Sequence, residues 1–499
     1  MAVETAQEYK NFIDGRWVGS HSGQTFESAN PADREDVVGV FPRSGKDDLE
    51  AAVAAARKAY PGWKATPPPV RGEIILRAAL LLRDHKEELA RLMTREMGKV
   101  LKETRGDVQE GIDMAEYTAG MGRRPFGEAV PSELRDKICF TWREPIGVVG
   151  LITPWNFPVA IPCWKLMPAL MGGNAIIFKP AEDTPACATR LVEILVEAGL
   201  PAGVVNLVHG YGEEVGAGLV DHPAVRAISF TGSAEVGRLI AAKCGQNLKR
   251  VSLELGGKNA IVVMDDGDLE LAVEGATWAA FGTTGQRCTA ASRLIVHEKQ
   301  LLDFSDLLKQ RAETLKVGYG LDEGVEMGPI INEKQLKRVH SYTQVGVEEK
   351  AKLLVGGRIL DDREHAKGFF YAPTIFSEVK PGMRIAQEEI FGPTTAIMPV
   401  DSLDQAIEYA NSTVYGLSLS IYTRDVNRAF RAMRELESGI VYVNAPTIGA
   451  EIQVPFGGVK NTGNGHREAG TVALDEFTEW KTIFVDYSGK LQKAQIDVT

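Results

Sequence analysis

Residues 146–158 read IGVVGLITPWNFP, an apolar run that stops at a proline and continues into a turn rich in aromatic residues. The stretch 147–152 has the length and composition of a buried strand. Helical stretches and further short apolar runs alternate after it, at 164–171, 175–178, 186–198, 204–208, 227–230 and 234–244. Apolar strands separated by helices predict a parallel sheet covered on both faces, in the style of dinucleotide-binding domains.

A second alternation of the same kind runs from residue 260 to about residue 444. It contains predicted strands at 260–264 and 294–297 and predicted helices near 301–315 and 403–411. The chain is therefore predicted to be an α/β protein with two such units.

Further predicted elements lie before and after the two regions in which strands and helices alternate. A hairpin is predicted at 11–18 around Asp14-Gly15, a helix at 47–60, and a long helical region at 70–103 after three prolines. The segment 479–486 alternates as a strand near the end of the chain. Because a strand added after a complete core often pairs with something else, another subunit is one predicted partner for it.

Charge and composition exclude several classes of protein. The formal net charge is −11 and the pI about 5.4, which argues against nucleic acid as a partner. Residues 1–10 lack the pattern of a signal peptide. No apolar run reaches the roughly 18 residues of a membrane span. We therefore predict neither secretion nor a membrane partner.

The five cysteines are widely spaced and form no CxxC pair or Cys/His cluster, so no metal is predicted. Their pattern favours free thiols in a reducing, cytoplasmic compartment. One of them, Cys288, lies in the stretch 282–289, GTTGQRCT, after a predicted helix at 272–281. Glycines let the backbone approach a ligand, and the charge of Arg287 would favour the thiolate. On this pattern alone, an ordinary cysteine in a glycine-rich turn is the common alternative.

Two polar residues stand at the ends of apolar runs. Glu254 lies in 251–258, VSLELGGK, where desolvation would raise its pKa towards that of a general base. Taken alone, a surface-facing strand glutamate is the favoured alternative. Asn156 follows the strand at 147–152, where parallel sheets bind ligands, and its amide can donate to an oxyanion. An Asx turn before Pro158 fits that residue equally well.

Two glycine-bearing turns are candidate phosphate sites. Residues 230–233, FTGS, lead from a strand into a helix N-terminus, which is suited to a pyrophosphate. Simple capping by Ser233 is the alternative, and both can hold at once. Gly210, Gly212 and Gly216 approximate a GxGxxG fingerprint whose last glycine comes one position late.

Together these motifs resemble the aldehyde dehydrogenase superfamily over nearly the whole chain. The matching segments are PWNFP at 154–158, FKP at 178–180, FTGS at 230–233, LELGGK at 253–258, GQRC at 285–288, EEIFGP at 388–393 and PFGG at 455–458. Any one of them can occur by chance, but the ordered set is highly specific.

The resemblance implies a covalent mechanism. Cys288 would attack the aldehyde carbon, and the Asn156 side chain and the Cys288 backbone N–H would hold the oxyanion. Loss of hydride to a nicotinamide would leave a thioester, which splits one hard step into two. Glu254 would then activate water; relatives that acylate coenzyme A tend to lack this carboxylate. Lys165 and Glu468 match positions proposed for a proton relay, with a structural ion pair as the alternative.

The resemblance also implies a dinucleotide site. Its predicted residues are Ile152, Trp155, Lys179, Glu182, Gly212, Gly232, Ser233, Glu389 and Phe391. Of these, Glu182 would accept a hydrogen bond from the ribose 2′-hydroxyl and repel a 2′-phosphate. NAD is therefore the expected cofactor, with NADP as the alternative.

The family fold has three parts: a doubly wound Rossmann-type cofactor domain, an α/β catalytic domain and a small β extension that joins subunits. Carried over to this chain, residues 1–122 and 144–256 would form the NAD(P)-binding domain and residues 257–460 the catalytic domain. Residues 123–143 and 474–487 would form the oligomerisation extension. A homo-oligomer, either dimer or homotetramer, is the implied assembly.

The family's substrate tunnel maps onto Phe157, Trp164, Arg287 and Thr289, together with the loop 446–454. Trp164 stands where some succinic semialdehyde relatives carry a carboxylate-binding arginine. GHREAG at 465–470 and DYSGKLQ at 486–492 resemble a bacterial or archaeal subgroup near the 2-oxoglutarate semialdehyde dehydrogenases. A small dicarboxylic semialdehyde is one hypothesis for the substrate, and broad activity on aliphatic or aromatic aldehydes is the other.

Two other classes stay open at this point. A thiol-dependent esterase or hydrolase could use Cys288 and Glu254 without redox chemistry, but it would not need the predicted cofactor residues. A non-catalytic binding protein on this fold would be expected to have lost Cys288 or Glu254, and both are present.

Overall fold

The structure, a computed structural model, describes residues 7–124 and 126–496. Residues 1–6 of the predicted first domain and Pro125 of the predicted extension lie outside the described residues. Within the described ranges the strands β1 to β23 are, in chain order, Asn11–Ile13, Arg16–Val18, Thr25–Asn30, Asp33–Pro42, Ala129–Pro131, Lys137–Pro145, Val148–Ile152, Ala175–Lys179, Val205–Leu207, Val225–Thr231, Arg250–Glu254, Asn259–Val263, Ala291–His297, Lys352–Val355, Ile359–Leu360, Phe370–Tyr371, Thr374–Ser377, Thr394–Val400, Tyr415–Gly416, Ser418–Tyr422, Ile440–Val443, Val459–Lys460 and Thr478–Asp486. The helices α1 to α15 are Lys46–Ala65, Pro68–Asp84, Lys86–Met97, Leu101–Met121, Ala160–Gly172, Pro185–Glu197, Ala217–Asp221, Ala234–Gln246, Leu269–Phe281, Glu298–Thr314, Glu333–Glu348, Arg384–Gln387, Leu403–Asn411, Val426–Glu435 and Ala473–Phe477.

The first sheet has the strand order β11-β10-β7-β8-β9-β1-β2. Neighbours among β7 to β11 run parallel, and β1 and β2 form the predicted hairpin at an antiparallel edge. β7, β8 and β9 are buried at every residue, because helices cover a parallel sheet on both faces. The chain goes from β7 to β8 on one side and returns to place β10 on the other. At such a switch point the carboxyl ends of the strands open a crevice for a ligand.

The second sheet has the order β14-β17-β18-β13-β12-β20-β21, and β14 is its antiparallel strand. Between α9 and β13 the chain makes a tight 3-10 turn at Gly282–Gly285, and Cys288 follows this turn. The predicted α/β class, with two alternating units, is thus confirmed.

The strand near the end of the chain pairs within its own chain. β23 runs antiparallel to β6 from Thr478↔Pro145 to Asp486↔Lys137, and β5 lies on the other side of β6. β23 therefore forms one edge of a three-stranded sheet.

The predicted helical region 70–103 is wrong in its continuity, because it is divided among three helices. α2 ends at Asp84 and α3 at Met97, and α4 begins at Leu101. Gly98 stops α3 with φ +92, a left-handed conformation that glycine adopts without strain. A Cβ atom there would lie 2.6 Å from the side chain of Pro329. Within the two described ranges, each helix is too short or too polar to cross a lipid bilayer.

Candidate active site

The turn after β7 reaches across to the second sheet. Asn156 lies in this turn and is buried, and its side-chain Nδ2 donates to the backbone carbonyl of Gln286 at 3.1 Å. The side-chain amide is therefore directed at the loop that carries Cys288. The sequence placed Asn156 at the carboxyl end of β7, and the contact with the cysteine loop is the additional finding.

The loop before Cys288 has an unusual backbone that its neighbours hold in place. Thr283, Thr284 and Gly285 have φ values of 52°, 57° and 65° in succession. A Cβ atom on Gly285 would overlap the carbonyl group of Gly392, so only glycine fits there. The Thr284 hydroxyl donates to the Gly328 carbonyl at 3.0 Å. Three successive left-handed residues persist only where surrounding contacts determine them, and they are typical of functional sites.

Cys288 differs from the other four cysteines because it is half-buried and they are buried. Burial raises the pKa of its thiol to about 12, and the nearby carboxyl groups of Glu254, Glu389 and Glu468 add to this shift. Arg287 lowers the pKa of Cys288, as the sequence predicted, but this effect is outweighed. The resting group is thus a neutral thiol that must lose its proton before it can attack a carbon.

Glu254 is the last residue of β11, and its side chain is buried, so the alternative of a surface-facing glutamate is wrong. Burial raises its pKa well above 4.5, and the carboxyl groups of Glu468 and Glu476 raise it further. Within the described residues its Oε1 has no hydrogen-bond partner. A buried carboxyl group with a free oxygen and a raised pKa is suited to taking a proton from water.

Behind Glu254 lies the predicted pair of Lys165 and Glu468. Both side chains are buried and form a short ion pair, and Lys165 Nζ also donates to the Ser229 hydroxyl at 2.8 Å. Glu468 lies close enough to raise the pKa of Cys288 as well as that of Glu254. The sequence thus anticipated this pair, but it missed Glu476, which is buried beside it on α15.

The crevice at the switch point brings together several predicted cofactor residues. Ile152 and Lys179 end the adjacent strands β7 and β8 and are register partners. Lys179 Nζ donates to Glu182 Oε2 at 2.8 Å, and the Glu182 side chain remains 35% exposed. On the other side of β7, Ser233 caps α8 by accepting from the Val236 N–H at 3.3 Å, which confirms the capping interpretation.

Two of the predicted cofactor residues are glycines in the turns that follow β10 and β9. The Gly232 N–H donates to the Glu254 carbonyl at 3.0 Å, which connects the turn after β10 to the end of β11. Gly212 begins a π-helical turn, Gly212–Gly216, after β9. Gly212 and Gly216, two glycines of the GxGxxG-like pattern, therefore bound a short turn, and this turn does not lead directly into a long helix.

The EEIFGP segment closes the crevice from the second sheet. Glu389 Oε1 accepts from the Gly257 N–H at 2.8 Å, and a Cβ atom on Gly256 would overlap the Glu389 carboxyl group. Phe391 has φ +61, and its ring meets that of Trp155 edge-on at 5.5 Å. Gln335, which sequence reasoning missed, donates to the Phe391 carbonyl at 2.7 Å and so supports this strained backbone.

A cavity of about 860 Å³ opens between α4, α9 and the turn after β7, and its wall includes Phe157 and Arg287. Two cations lie near the Phe157 ring: Lys99 Nζ is 3.5 Å from its centroid, and the Arg287 guanidinium carbon is 5.3 Å away. Arg287 donates to Glu103 at 3.1 Å, a contact that sequence reasoning also missed. The i, i+4, i+7 spacing of Glu103, Asp107 and Glu110 on α4 was the available signal that they share a face.

The two other predicted tunnel residues are both buried. Trp164 is buried on α5, where its ring meets Phe456 edge-on at 4.9 Å. Thr289 is buried as well, and its carbonyl accepts from the Thr447 hydroxyl at 2.7 Å. The hydrogen bond from Thr447 links the loop 446–454 to the residue that follows Cys288.

Three comparisons with known proteins bear on the family and the fold of this chain. A family model described as the aldehyde dehydrogenase family matches residues 17–483. An alpha-ketoglutaric semialdehyde dehydrogenase of Bacillus subtilis is 44% identical over 97% of this chain and 100% of its own length. An alpha-ketoglutarate semialdehyde dehydrogenase of Haloferax volcanii is 42% identical over 96% of this chain and 99% of its own. The crystal structure of a betaine aldehyde dehydrogenase from Staphylococcus aureus in complex with NAD+ superposes with a TM-score of 0.95, at 35% identity over 98% of this chain and 96% of that one.

Proposed function

The chain belongs to the aldehyde dehydrogenase family, and from this premise we propose that it oxidises an anionic aldehyde with NAD+ through a thioester on Cys288. The observation that carries the proposal is the convergence of three segments. The half-buried thiol of Cys288 follows a loop that the Asn156 amide contacts at Gln286, and the buried carboxyl group of Glu254 lies near enough to raise the pKa of that thiol.

The first half-reaction uses Cys288 and Asn156. The Cys288 thiol releases its proton to water, and the thiolate sulfur bonds to the aldehyde carbon. The carbonyl π bond opens, and the carbonyl oxygen takes the negative charge near the Asn156 amide and the Cys288 N–H. NAD+, when bound, supplies the acceptor for the hydride that leaves this carbon. The acyl group is then held on sulfur as a thioester.

The second half-reaction depends on Glu254. Its carboxylate takes a proton from water while the water oxygen attacks the thioester carbon, and the bond from carbon to Cys288 Sγ breaks. Lys165 and Glu468 lie directly behind it and form the route by which this proton leaves. A simple thiol hydrolase would need Cys288 and Glu254 but not the crevice built from Lys179, Glu182 and Phe391, and this crevice favours the dehydrogenase.

The crevice fits a dinucleotide. Thr231 Oγ1 is buried there without a hydrogen-bond partner among the described residues, and Ser233 places a helix N-terminus beside it. Trp155 and Phe391 supply aromatic surface at the opposite side. Glu182 would accept from the adenosine ribose and oppose a 2′-phosphate, so NAD is preferred over NADP.

We assign 2-oxoglutarate semialdehyde as the first candidate substrate. The two relatives from Bacillus subtilis and Haloferax volcanii carry that name, and the substrate is an aldehyde with a carboxylate at its far end. Arg287, which pairs with Glu103, supplies a cation in the cavity wall and directly precedes Cys288 in the sequence. Trp164 occupies the position at which some succinic semialdehyde relatives have an arginine, and its indole carries no charge. The substrate assignment therefore depends on Arg287 as the cation.

The assembly is proposed to be a homo-oligomer, dimer or tetramer, joined through the extension formed by residues 123–143 and 474–487. Its strand β23 forms an edge, and Trp480 and Phe484 on this strand are 56% and 62% exposed. Residues 1–122 and 144–256 would bind the cofactor, and residues 257–460 would carry the nucleophile. Since Cys288 must stay reduced to act, we place the enzyme in the cytoplasm.

The test is the absorbance of NADH after the protein is mixed with NAD+ and a panel of aldehydes, repeated with NADP+. We expect 2-oxoglutarate semialdehyde to give a higher kcat/KM than hexanal or benzaldehyde, and no signal from Cys288→Ala. Equal values for charged and uncharged aldehydes would overturn the substrate assignment. A flat trace from a protein that is folded, reduced and able to bind NAD+ would overturn the activity.

A further inference from the structure

The turn that precedes Cys288 is bonded to a side chain on α4. Glu103 lies in the first turn of that helix, 180 positions before Thr283 in the chain. The backbone N–H of Thr283 donates to both carboxylate oxygens of Glu103, at 2.9 Å to Oε1 and 3.0 Å to Oε2. The Glu103 side chain is only 11% exposed, and Thr283 is buried. The carboxylate therefore satisfies a backbone donor that lies inside the protein.

The turn itself has a strained backbone, so its shape depends on contacts of this kind. Thr283 has φ 52° and ψ 30°, and Thr284 has φ 57° and ψ 34°. Residues with side chains rarely adopt this left-handed conformation, and they keep it only where the surrounding structure holds them. Glu103 is the charged group among those that hold this turn.

Three successive hydrogen bonds lead from Glu103 to the proposed oxyanion donor. The first is the bond from the Thr283 N–H. In the second, the Thr283 carbonyl accepts from the Gln286 N–H at 2.9 Å. In the third, the Gln286 carbonyl accepts from Asn156 Nδ2 at 3.1 Å. A carboxylate on α4 is thus connected, through the two ends of the turn 283–286, to the amide that would face the oxyanion.

Glu103 also contacts the side chain next to the nucleophile. Arg287 Nη2 donates to Glu103 Oε1 at 3.1 Å, and Arg287 Nε donates to the Thr283 hydroxyl at 2.8 Å. Glu103 Oε1 accepts from the Thr283 N–H as well. One oxygen atom at the right distance can therefore make both bonds, so the reach of this side chain and its charge can be tested separately.

We propose that Glu103 is a positioning residue for the first half-reaction, because it fixes the turn 283–286 and so keeps Cys288 and the Asn156 amide in the arrangement that acylation requires. Without Glu103, the buried Thr283 N–H would lose its acceptor, and the turn would relax from its strained form. The nucleophile and the oxyanion donor would then be misaligned. This inference rests on the proposed function, because it concerns the formation of the Cys288 thioester.

Three substitutions separate the reach of the side chain from its charge. Glu103→Gln keeps an acceptor oxygen at the same reach and removes the charge. Glu103→Asp keeps the charge but is shorter by one methylene group, and Glu103→Ala removes both. Glu116→Ala is the matched control, since Glu116 lies on the same helix and pairs with Arg83 at a partly exposed site.

Hydrogen exchange followed by mass spectrometry measures the turn directly and needs no substrate. We expect residues 282–287 to exchange faster in Glu103→Ala and Glu103→Asp than in the parent, whereas Glu103→Gln should stay close to the parent. Glu116→Ala should leave the exchange of this segment unchanged.

The rate of the NADH burst should follow the same order. It is measured with hexanal, so that the charge of the substrate plays no part. For Glu103→Ala we expect a fall of about 10- to 100-fold, the scale on which a displacement of roughly 1 Å slows a reaction. Glu103→Gln should recover most of the parental rate, and Glu116→Ala should keep it.

A double-mutant cycle tests the connection to Asn156. If Glu103 acts by aligning the turn with this amide, its loss should matter less once the amide is gone. The fall in burst rate for Glu103→Ala combined with Asn156→Ala should therefore be smaller than the product of the two single falls. A fall equal to that product would contradict the connection.

A parental burst rate in a folded Glu103→Ala protein would overturn the proposal, even if its melting temperature were lower. The reverse order, with Glu103→Asp close to the parent and Glu103→Gln slow, would overturn it too. If Glu103→Ala does not fold, Glu103→Asp decides, and parental exchange and burst rates in that variant would count against the role. Absence of a burst in the parent protein would instead overturn the proposed function, while the exchange of residues 282–287 would still test the contact.

Discussion

The Asn156 side-chain amide donates to the Gln286 carbonyl at 3.1 Å, although the two residues are 130 positions apart in the chain. This bond joins the turn after β7 of the first sheet to the loop before Cys288, which leads into the second sheet. The proposed oxyanion donor is therefore held against the loop that carries the nucleophile. Gln286 is itself anchored, because its Oε1 accepts from the Ile331 N–H at 3.0 Å.

Replacing Asn156 should impair acylation. Asn156→Ala removes a donor from the developing oxyanion and frees the Gln286 carbonyl, so we expect the rate of the NADH burst to fall about 10²–10³-fold. Stopped-flow absorbance measures the burst, and calorimetry should show that NAD+ binding is retained. The matched control is Asn206→Ala, another buried asparagine, whose amide donates to the Gly203 carbonyl at 2.8 Å far from the thiol. It should lower the melting temperature and leave the burst rate unchanged; an equal loss in both variants would contradict the oxyanion role.

Replacing Glu254 should separate the two half-reactions. Glu254→Gln keeps the shape of the buried side chain but cannot take a proton from water, so the first turnover should proceed and the second should stall. We expect one NADH per active site in the burst, followed by a steady-state rate lowered about 10²–10⁴-fold. Mass spectrometry of the quenched protein should show the acyl group on Cys288. Steady turnover at the parental rate would show that another group acts as the base.

Arg287 should determine the preference for anionic aldehydes. Arg287→Leu removes the cation from the cavity wall, and the loss of a hydrogen bond to a charged group, about 1.5–3 kcal/mol, corresponds to roughly a 10- to 150-fold fall in kcat/KM for the semialdehyde. The value for hexanal should change little. Arg311→Leu is the control, since Arg311 also lies in the cavity wall. An equal fall for both aldehydes would mean that Arg287 supports the loop and not the substrate.

Whether a structural feature could be predicted from the sequence depends on how far apart in the chain the contacting residues lie. The strands and the turn after β7 follow from local patterns of apolar residues, and the structure places them where those patterns predict. For Glu254 the local pattern alone favoured a surface-facing side chain, and the structure buries it. The pairing of Arg287 with Glu103 spans 184 positions and depends on how α4 packs against the cysteine loop. No periodicity within either segment encodes such a contact.

The burial of Glu476 is a second feature that the local sequence does not predict. Its neighbours in sequence include charged residues, so the local pattern does not distinguish it from the exposed Asp475. Only the packing of Leu474 and Phe477 into the core turns it inward, towards Lys165. Within the region 70–103, Gly98 ends α3 in a left-handed conformation, a break that the continuous helical pattern does not predict.

The reactivity of Cys288 should rise steadily with pH. Because burial and the neighbouring carboxyl groups raise the pKa of its thiol to about 12, only a small fraction is thiolate near neutral pH. Below that pKa the thiolate fraction grows about tenfold per pH unit, so the rate of alkylation by iodoacetamide should do the same. The loss of dehydrogenase activity over time measures this rate, and Cys288→Ala should show no labelling at this site. A rate that levels off near neutral pH would mean that the free enzyme holds a thiolate.

Asp107 should be critical for folding, because it satisfies two buried groups at once. Its carboxylate accepts from Lys99 Nζ at 2.7 Å and from the Ala160 N–H, the first of α5, also at 2.7 Å. The Lys99 and Asp107 side chains are both fully buried. Asp107→Asn leaves the Lys99 ammonium without a counter-charge, so we expect the free energy of unfolding to fall by about 3–5 kcal/mol. Chemical denaturation followed by tryptophan fluorescence measures this change.

The matched variants separate the charge from the helix contact. Asp113→Asn on the same helix, where the carboxylate accepts from Gln109 at 2.7 Å at a partly buried site, should cost less than about 1 kcal/mol. Adding Lys99→Met to Asp107→Asn should recover part of the loss, because no unpaired charge then remains in the core. If the double variant were no more stable than Asp107→Asn alone, the loss would come from a weakened bond to the Ala160 N–H and not from the unpaired ammonium. The stability of α5, which carries Lys165, would then depend on the helix N-terminus and not on the buried charge.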